Sequence, residues 1–269
     1  MFSVLMSVYV NDIPKFLEIA LKSIYDDQTK KPDQIVIVAD GKLTPELDSI
    51  ICEFKDRVDK ILDYIEIPSN IGLAKALNIG MSYCKYNLIA RMDSDDISLP
   101  DRFKKQYDYM KENPHIGVCG TYIREVDPKT CQPLSIRSVP TEHDAIEKFA
   151  IYRSPISHPS VMYRKETILS VGGYPPFRKS QDYALWSLLL KNKKKFHNIP
   201  ELLLDMRTGS ELYTRRGIKH LKSELAVIGY QKSIGFISYR QYVFSLLLRL
   251  GFRLSPVALR RVLYSVTRK

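Results

Sequence analysis

"YNLIARMDSDDISLP", residues 86–100, decides the reading of this chain. Asn87–Met92 has the length and apolar character of a buried strand. It ends in Asp93, Asp95 and Asp96, three carboxylates within four residues, and Pro100 then opens a helical stretch. Ionised neighbours repel and lose hydration when crowded, so a cation is expected among them. Hard oxygen ligands at a strand end suit Mg²⁺ or Mn²⁺, which keep several waters and bridge to substrate phosphates. The plain alternative is an Asp-rich turn that caps the helix after Pro100.

Upstream, similar apolar runs recur at Ser3–Val8, Gln34–Ala39 and Lys60–Ile67. Helical patterns fill the gaps. Ile13–Asp26 carries Phe16, Leu17, Ala20, Leu21 and Ile24 at 3.6-residue spacing, Pro45–Phe54 is a weaker case, and Ile71–Tyr83 follows Asn70 as a capping residue. This alternation predicts βαβ units, a mainly parallel sheet, and a ligand crevice at the carboxyl ends of the strands. Tyr9-Val-Asn11, Asp40-Gly41 and the Asp93 cluster then line one crevice. There Asp40 can accept hydrogen bonds from a base or ribose, or serve only as turn chemistry. Gly72, at a helix start, offers free backbone N–H groups.

Downstream, Pro100 to about Asn113 reads as a helix. Two strands flank a turn at Asp127-Pro128, and a helix follows near Thr141–Ile151. "HPSVMYRKETILSVGGYPP" gives a strand, a short helix and a glycine turn. Ser180–Lys191 is a helix with Ala184, Leu185, Leu188 and Leu189 on one face. From Arg216 the chain reads as helical to its end, broken near Gly235 and at Pro256.

The 269 residues allow one large α/β domain with an appendage, or two modest domains, and a 45% hydrophobic content supplies a core and argues against disorder. The formal net charge of +11 is uneven. After Glu224 no Asp or Glu occurs, while Lys232, Arg240, Arg249, Arg253, Arg260, Arg261, Arg268 and Lys269 follow. Such asymmetry favours an anionic partner for the C-terminal part. Phe244, Leu247, Leu248 and Leu250–Phe252 add apolar bulk among those arginines, the pattern of an interfacial membrane helix or of a plain packing helix. No stretch reaches the length of a membrane span, and the N-terminus lacks the features of a signal peptide. The four cysteines and five histidines show no metal or redox spacing, which points to reduced thiols in or near a core. A cytoplasmic location is expected, peripheral to the inner face of the cell membrane.

"SVLMSVYVND", "VIVADG", "SNIGLAKALNIG" and "ARMDSDD" together resemble a family 2 glycosyltransferase of the GT-A fold, a Rossmann-like α/β class. "HPSVMYRKE", "VGGY" and "QDYALW" extend the resemblance, and "RTGSELYTRRG" with the basic tail resembles the subgroup that builds bacterial O-antigen, capsule and exopolysaccharide repeat units. The resemblance implies a catalytic domain over residues 1–215, with a nucleotide-sugar half (1–97) and an acceptor half (98–215), and a basic amphipathic helical tail over 216–269. It implies inverting transfer from a UDP-sugar to a lipid-linked saccharide. Tyr9 and Asp40 are expected at the uracil and ribose. Val8, Asn11, Asn70, Gly72, Lys75 and Arg91 complete the nucleotide contacts, and Arg215 and Arg216 sit at the diphosphate. Asp93 and Asp95 resemble the Asp-x-Asp motif, with Asp95 on the metal and Asp93 nearer the ribose. Asp182 aligns with the general base, although Gln181 stands where the family has Glu. His158, Gly173, Gln181 and Trp186 fall on the acceptor side, His158 as a loop-orienting residue. The family often adds a metal-binding His as Arg-x-His; here Arg207-Thr-Gly209 lacks it, so water or Arg215 and Arg216 are expected to take over.

A sugar-1-phosphate nucleotidylyltransferase would need a Gly-rich, Arg-containing loop after the first strand, and "SVYVNDIPKF" has no glycine. A nucleic-acid-binding protein would fit the charge, but no recognition motif supports it, so no nucleic-acid partner is expected.

Overall fold

β1 (Ser3–Val8), β2 (Gln34–Asp40), β3 (Leu62–Ile67) and β4 (Leu88–Asp93) pair in parallel in the order β3-β2-β1-β4. They are connected by α1 (Pro14–Ile24), α2 (Pro45–Val58) and α3 (Leu73–Tyr83). The computed structural model describes residues 1–208 and 218–254. Every residue of β2 is buried, as its unbroken apolar run requires of a strand covered on both faces. Strand periodicity sorts β1 in the same way. Val4, Met6 and Val8 pack with Leu17 and Leu21 of α1 and Leu47 and Ile51 of α2, whereas Leu5 packs with Leu77 of α3 on the opposite face.

The chain leaves β1 toward β2 and β3, then returns to place β4 on the other side of β1. That reversal is a topological switch point, and it opens a crevice at the strand ends bearing Tyr9, Asp40 and Asp93.

The second half is mixed. After β5 (Ile97–Ser98) and α4 (Arg102–Glu112) come β6 (Ile116–Val126) and β7 (Pro133–Arg137), which flank the expected turn. α5 (His143–Ala150), β8 (Met162–Arg164), α6 (Lys165–Leu169), α7 (Gln181–Lys191) and β9 (Lys195–Arg207) follow. β8 joins the two halves by pairing antiparallel with both β4 and β6. β9 is 13 residues long and runs parallel to β6, and β5 pairs antiparallel with β9. Sequence patterning assigns no strand over residues 192–207. Pro200 interrupts the run, and the structure accommodates it where the β6–β9 register slips between Thr121 and Tyr122.

α8 (Ile218–Ser233) and α9 (Tyr239–Leu254) are separated at Gly235, as expected, and the break expected at Pro256 lies outside the described residues. α8 is fastened to α5 and α7 by Gln231, whose Nε2 donates to the Ala150 carbonyl (3.2 Å) and the Ser187 hydroxyl (2.8 Å). All four cysteines are free; Cys84 and Cys119 are buried, Cys52 and Cys131 exposed.

Candidate active site

The loops at the ends of β2 and β3 are organised by Asp40. Its carboxylate accepts hydrogen bonds from the backbone N–H of Ile71 (2.7 Å) and of Gly72 (2.9 Å). Its carbonyl accepts one from Asn70 Nδ2 (3.2 Å). The expected cap of α3 is therefore corrected: Gly72, at φ +89°, is the capping position, while the Asn70 side chain reaches back to β2. Asp40 is buried, so it ties the 70–72 loop to the sheet with the same oxygens that were assigned to the nucleoside. Tyr9 and Asn11 are exposed beyond the end of β1, and Lys75 is exposed on the first turn of α3.

The acidic loop has a fourth member. Asp12, in the loop after β1, accepts hydrogen bonds from the Ser94 hydroxyl (2.6 Å) and the Tyr9 amide (3.1 Å) through one oxygen. Burial pushes its carboxyl up to about 6, against those two hydrogen bonds. Asp93, Asp95 and Asp96 each offer an oxygen, all within 4.8 Å of one another. Asp95 is the exposed member of the cluster; lost hydration at its carboxyl raises it to about 7, with the Asp93 and Asp12 charges adding to it. Asp96 is buried and is held well above the carboxylate range by burial, then by Asp95 and Asp93. Crowded hard oxygens, whose mutual repulsion a divalent cation relieves, are a donor set suited to Mg²⁺ or Mn²⁺.

The sequence posed the question of what cation balances this knot. Three arginines, none of which the sequence placed in that role, stand around it. Arg91 is 1% exposed and both its terminal nitrogens donate to Asp93. Its expected contact with nucleotide is corrected accordingly: the guanidinium lies behind Asp93 and braces it. The signal was present, because residues two apart on a strand share a face. Arg102 of α4 is buried beneath the loop and donates to the Arg91 carbonyl (2.6 Å). Burial, then repulsion by Arg91, lowers Arg102 to about 9. Arg207, at the end of β9, donates from its amide to Asp96 (2.9 Å) and from Nη1 to the Asp95 carbonyl (2.6 Å).

In the second half of the chain, Asp182 lies at the start of α7, after Ser180 in the left-handed region at φ 58°. Burial raises its pKa, opposed by a backbone hydrogen bond from Tyr183 and by Arg137 and Arg91. Arg91 is hydrogen-bonded to Asp93 alone of the two, and its charge bears on Asp182 only weakly, after that of Arg137. Gln181 and His158 are buried. His158 Nε2 pairs with the Tyr174 hydroxyl at 3.0 Å, and burial with the Arg91 charge holds the ring well below its usual pKa and so neutral. Tyr174 is fixed in turn by Asn78 of α3, which accepts from its amide (2.8 Å) and donates to its carbonyl (3.0 Å). This clamp explains Gly173: its φ is +87°, and a Cβ there would sit 2.5 Å from Asn78 Oδ1.

Two further assignments are corrected by burial. The Val8 side chain is wholly within the core on the α1 side of the sheet, so only its backbone faces the crevice. Trp186 is equally buried, packed edge-on to His158 and Phe196 as part of the core. Arg215 and Arg216 lie outside the described residues.

A family model for Glycosyl transferase family 2 matches residues 3–172. The chain is 37% identical over 264 residues to the UDP-Gal:alpha-D-GlcNAc-diphosphoundecaprenol beta-1,3-galactosyltransferase of Escherichia coli, covering 98% of this chain and 94% of that one. It is 34% identical over 273 residues to the amylovoran biosynthesis glycosyltransferase AmsE of Erwinia amylovora, covering 100% of both. Among solved structures, the mannosyltransferase PcManGT from Pyrobaculum calidifontis, in complex with GDP-Man and Mn²⁺, shares the fold. Its TM-score is 0.66 at 14% identity, over 99% of this chain and 79% of that one.

Proposed function

The chain belongs to glycosyl transferase family 2, and on that premise we propose that it moves a sugar from a UDP-sugar to a hydroxyl of a saccharide carried on a lipid diphosphate, in the synthesis of a bacterial surface polysaccharide. The observation that carries this reading is the acidic loop at the sheet's switch point, whose three carboxylates bring oxygens within 4.8 Å of one another. The donor and acceptor classes rest on the E. coli relative, whose name specifies UDP-Gal and a diphosphoundecaprenol-linked sugar.

Asp182 takes the proton from the attacking hydroxyl while that oxygen bonds to the anomeric carbon. The bond from that carbon to the diphosphate breaks, and its electron pair leaves with UDP. Attack from the face opposite the nucleotide inverts the centre. Asp95, with Asp93 braced behind it, would hold Mg²⁺ or Mn²⁺, whose chemistry is to offset the charge that collects on the departing diphosphate. Asp40 fixes the loop that faces the nucleoside, and the His158–Tyr174–Asn78 chain fixes the wall beside the acceptor.

Calorimetric titration of UDP tests the reading. UDP affinity should fall sharply in chelator and in Asp95→Ala. Equal affinity with and without Mn²⁺ overturns the assignment of the acidic loop.

A lipid-linked acceptor also requires approach to a membrane. No helix among the described residues is long and apolar enough to cross one. α9 instead exposes Phe244 (51%), Leu247 (63%) and Leu248 (49%) on the face that also exposes Arg240, while Ser245 is buried. A surface helix ordinarily turns its apolar stripe inward. An outward apolar stripe beside Arg240 fits peripheral binding to an anionic leaflet, with the apolar side chains at the acyl boundary.

A further inference from the structure

β5 is only two residues long, and its pairing has a local consequence. Ile97 lies opposite Asp205 in an antiparallel register, so two steps further along each strand Arg207 comes level with Asp95. The Arg207 amide donates to Asp96 Oδ1 (2.9 Å), and Nη1 donates to the Asp95 carbonyl (2.6 Å). The guanidinium stacks 4.6 Å from the Phe16 ring of α1. Arg207 is buried, and its Nε and Nη2 have no hydrogen-bond partner among the described residues. A buried guanidinium with two orphaned donors is costly, and it persists where the surrounding structure requires it.

We propose that Arg207 is the positioning residue of the metal–diphosphate loop, holding the Asp95–Asp96 peptide in the geometry that binds a divalent cation together with a nucleoside diphosphate. The inference rests on the reading of the acidic loop given above. Arg207 addresses the carbonyl of Asp95 and not its carboxylate, so it shapes the loop and leaves the Asp95 oxygens available. Phe16 sets the plane of the guanidinium, and β5 sets its height. The acidic loop is thereby held from outside its own segment, through contacts spanning more than a hundred residues of chain.

The test is titration of Mn²⁺ in the presence of UDP, read by electron paramagnetic resonance, on the full chain and on Arg207→Met and Arg207→Lys. Thermal unfolding of each establishes that it folds. Arg207→Met should weaken Mn²⁺ binding about 10–100-fold, the usual effect of removing a group that orients a metal ligand. Arg207→Lys, with one donor group and no planar stack, should fall between Met and wild type. Phe16→Ala, which keeps the charge and frees the guanidinium, should weaken Mn²⁺ binding several-fold and carries the test if the Arg207 variants do not fold. Wild-type Mn²⁺ affinity in a folded Arg207→Met, or in Phe16→Ala where only that variant folds, overturns the proposal. A wild-type chain that binds UDP equally with and without Mn²⁺ overturns the metal reading itself, and this inference with it.

Discussion

Asp93→Asn and Asp95→Asn should move the stability of the metal-free protein in opposite directions, although both residues belong to the same acidic motif. The Arg91 side chain is 1% exposed and that of Asp93 31%, and the two are joined by two hydrogen bonds. Removing the Asp93 charge strands Arg91 in the core. Breaking a buried pair from one side costs ~3–5 kcal/mol. Asn keeps one acceptor oxygen and Asp93 borders solvent, so the lower end, about 3 kcal/mol, applies. At roughly 2–4 °C per kcal/mol for a chain of this size, Tm falls by about 6–12 °C. Asp95 behaves oppositely. Its folded pKa, about 7, lies above the ordinary 3.8, so the folded state holds the proton more tightly. Ionising it costs stability that is lost progressively as pH rises through that window, and the loss is complete above it. Asn cannot ionise, so Asp95→Asn should hold or raise Tm at pH about 8 and lose that advantage near pH 4, where Asp95 is protonated in the folded state. Thermal unfolding by circular dichroism in chelator, at both pH values, measures this. A Tm for Asp93→Asn equal to wild type, or a fall in Asp95→Asn matching that of Asp93→Asn, refutes the reasoning.

Asp182→Asn should retain UDP affinity and lose transfer by ~10²–10⁴ in rate, measured with a lipid-diphosphate saccharide acceptor. Because burial raises the pKa of Asp182, kcat/KM of the wild type should fall with decreasing pH at values above the ordinary carboxylate range, and near-complete activity at pH about 4 contradicts this. Gly173→Ala meets left-handed strain of ~1–2 kcal/mol and displaces the Asn78 clamp, whose two hydrogen bonds contribute about 1 kcal/mol each. Tm should drop accordingly, and the KM for acceptor should rise more than the KM for UDP-sugar. Replacing Phe244 and Leu247 with Asp should reduce co-sedimentation with anionic vesicles at low salt while leaving UDP binding intact; undiminished binding assigns the α9 stripe another role.

The positions of the first four strands and their parallel pairing, the strand ends that carry Asp40 and Asp93, the turn at Asp127-Pro128 and the break at Gly235 were legible in the sequence, whereas the order of those strands was not. Each rests on a local signal: an apolar run, a helical period, or a residue with restricted backbone freedom. β9 was not legible, because Pro200 breaks its pattern and only the register slip against β6 accommodates it. Trp186 was misjudged for a related reason. The buried residues of α7 include Tyr183, Ala184, Leu185, Trp186, Leu189 and Leu190, more than one narrow face, which marks a helix sunk in the core.

The chemistry of the site divides in the same way. That an acidic strand end needs a cation follows from Coulomb repulsion alone and is readable in "MDSDD". Which cations answer it was decided by tertiary structure. Only Arg91 is near Asp93 in sequence. Ser94 finds Asp12 at a separation of 82 residues, Asp96 finds the Arg207 amide at 111, and Asp40 finds the amides of the 71–72 loop at 31 and 32. A carboxylate's role depends on the charges and donors within a few ångströms and on how much water it has lost. Composition and spacing specify the groups, but only the packed chain brings them together and removes the water.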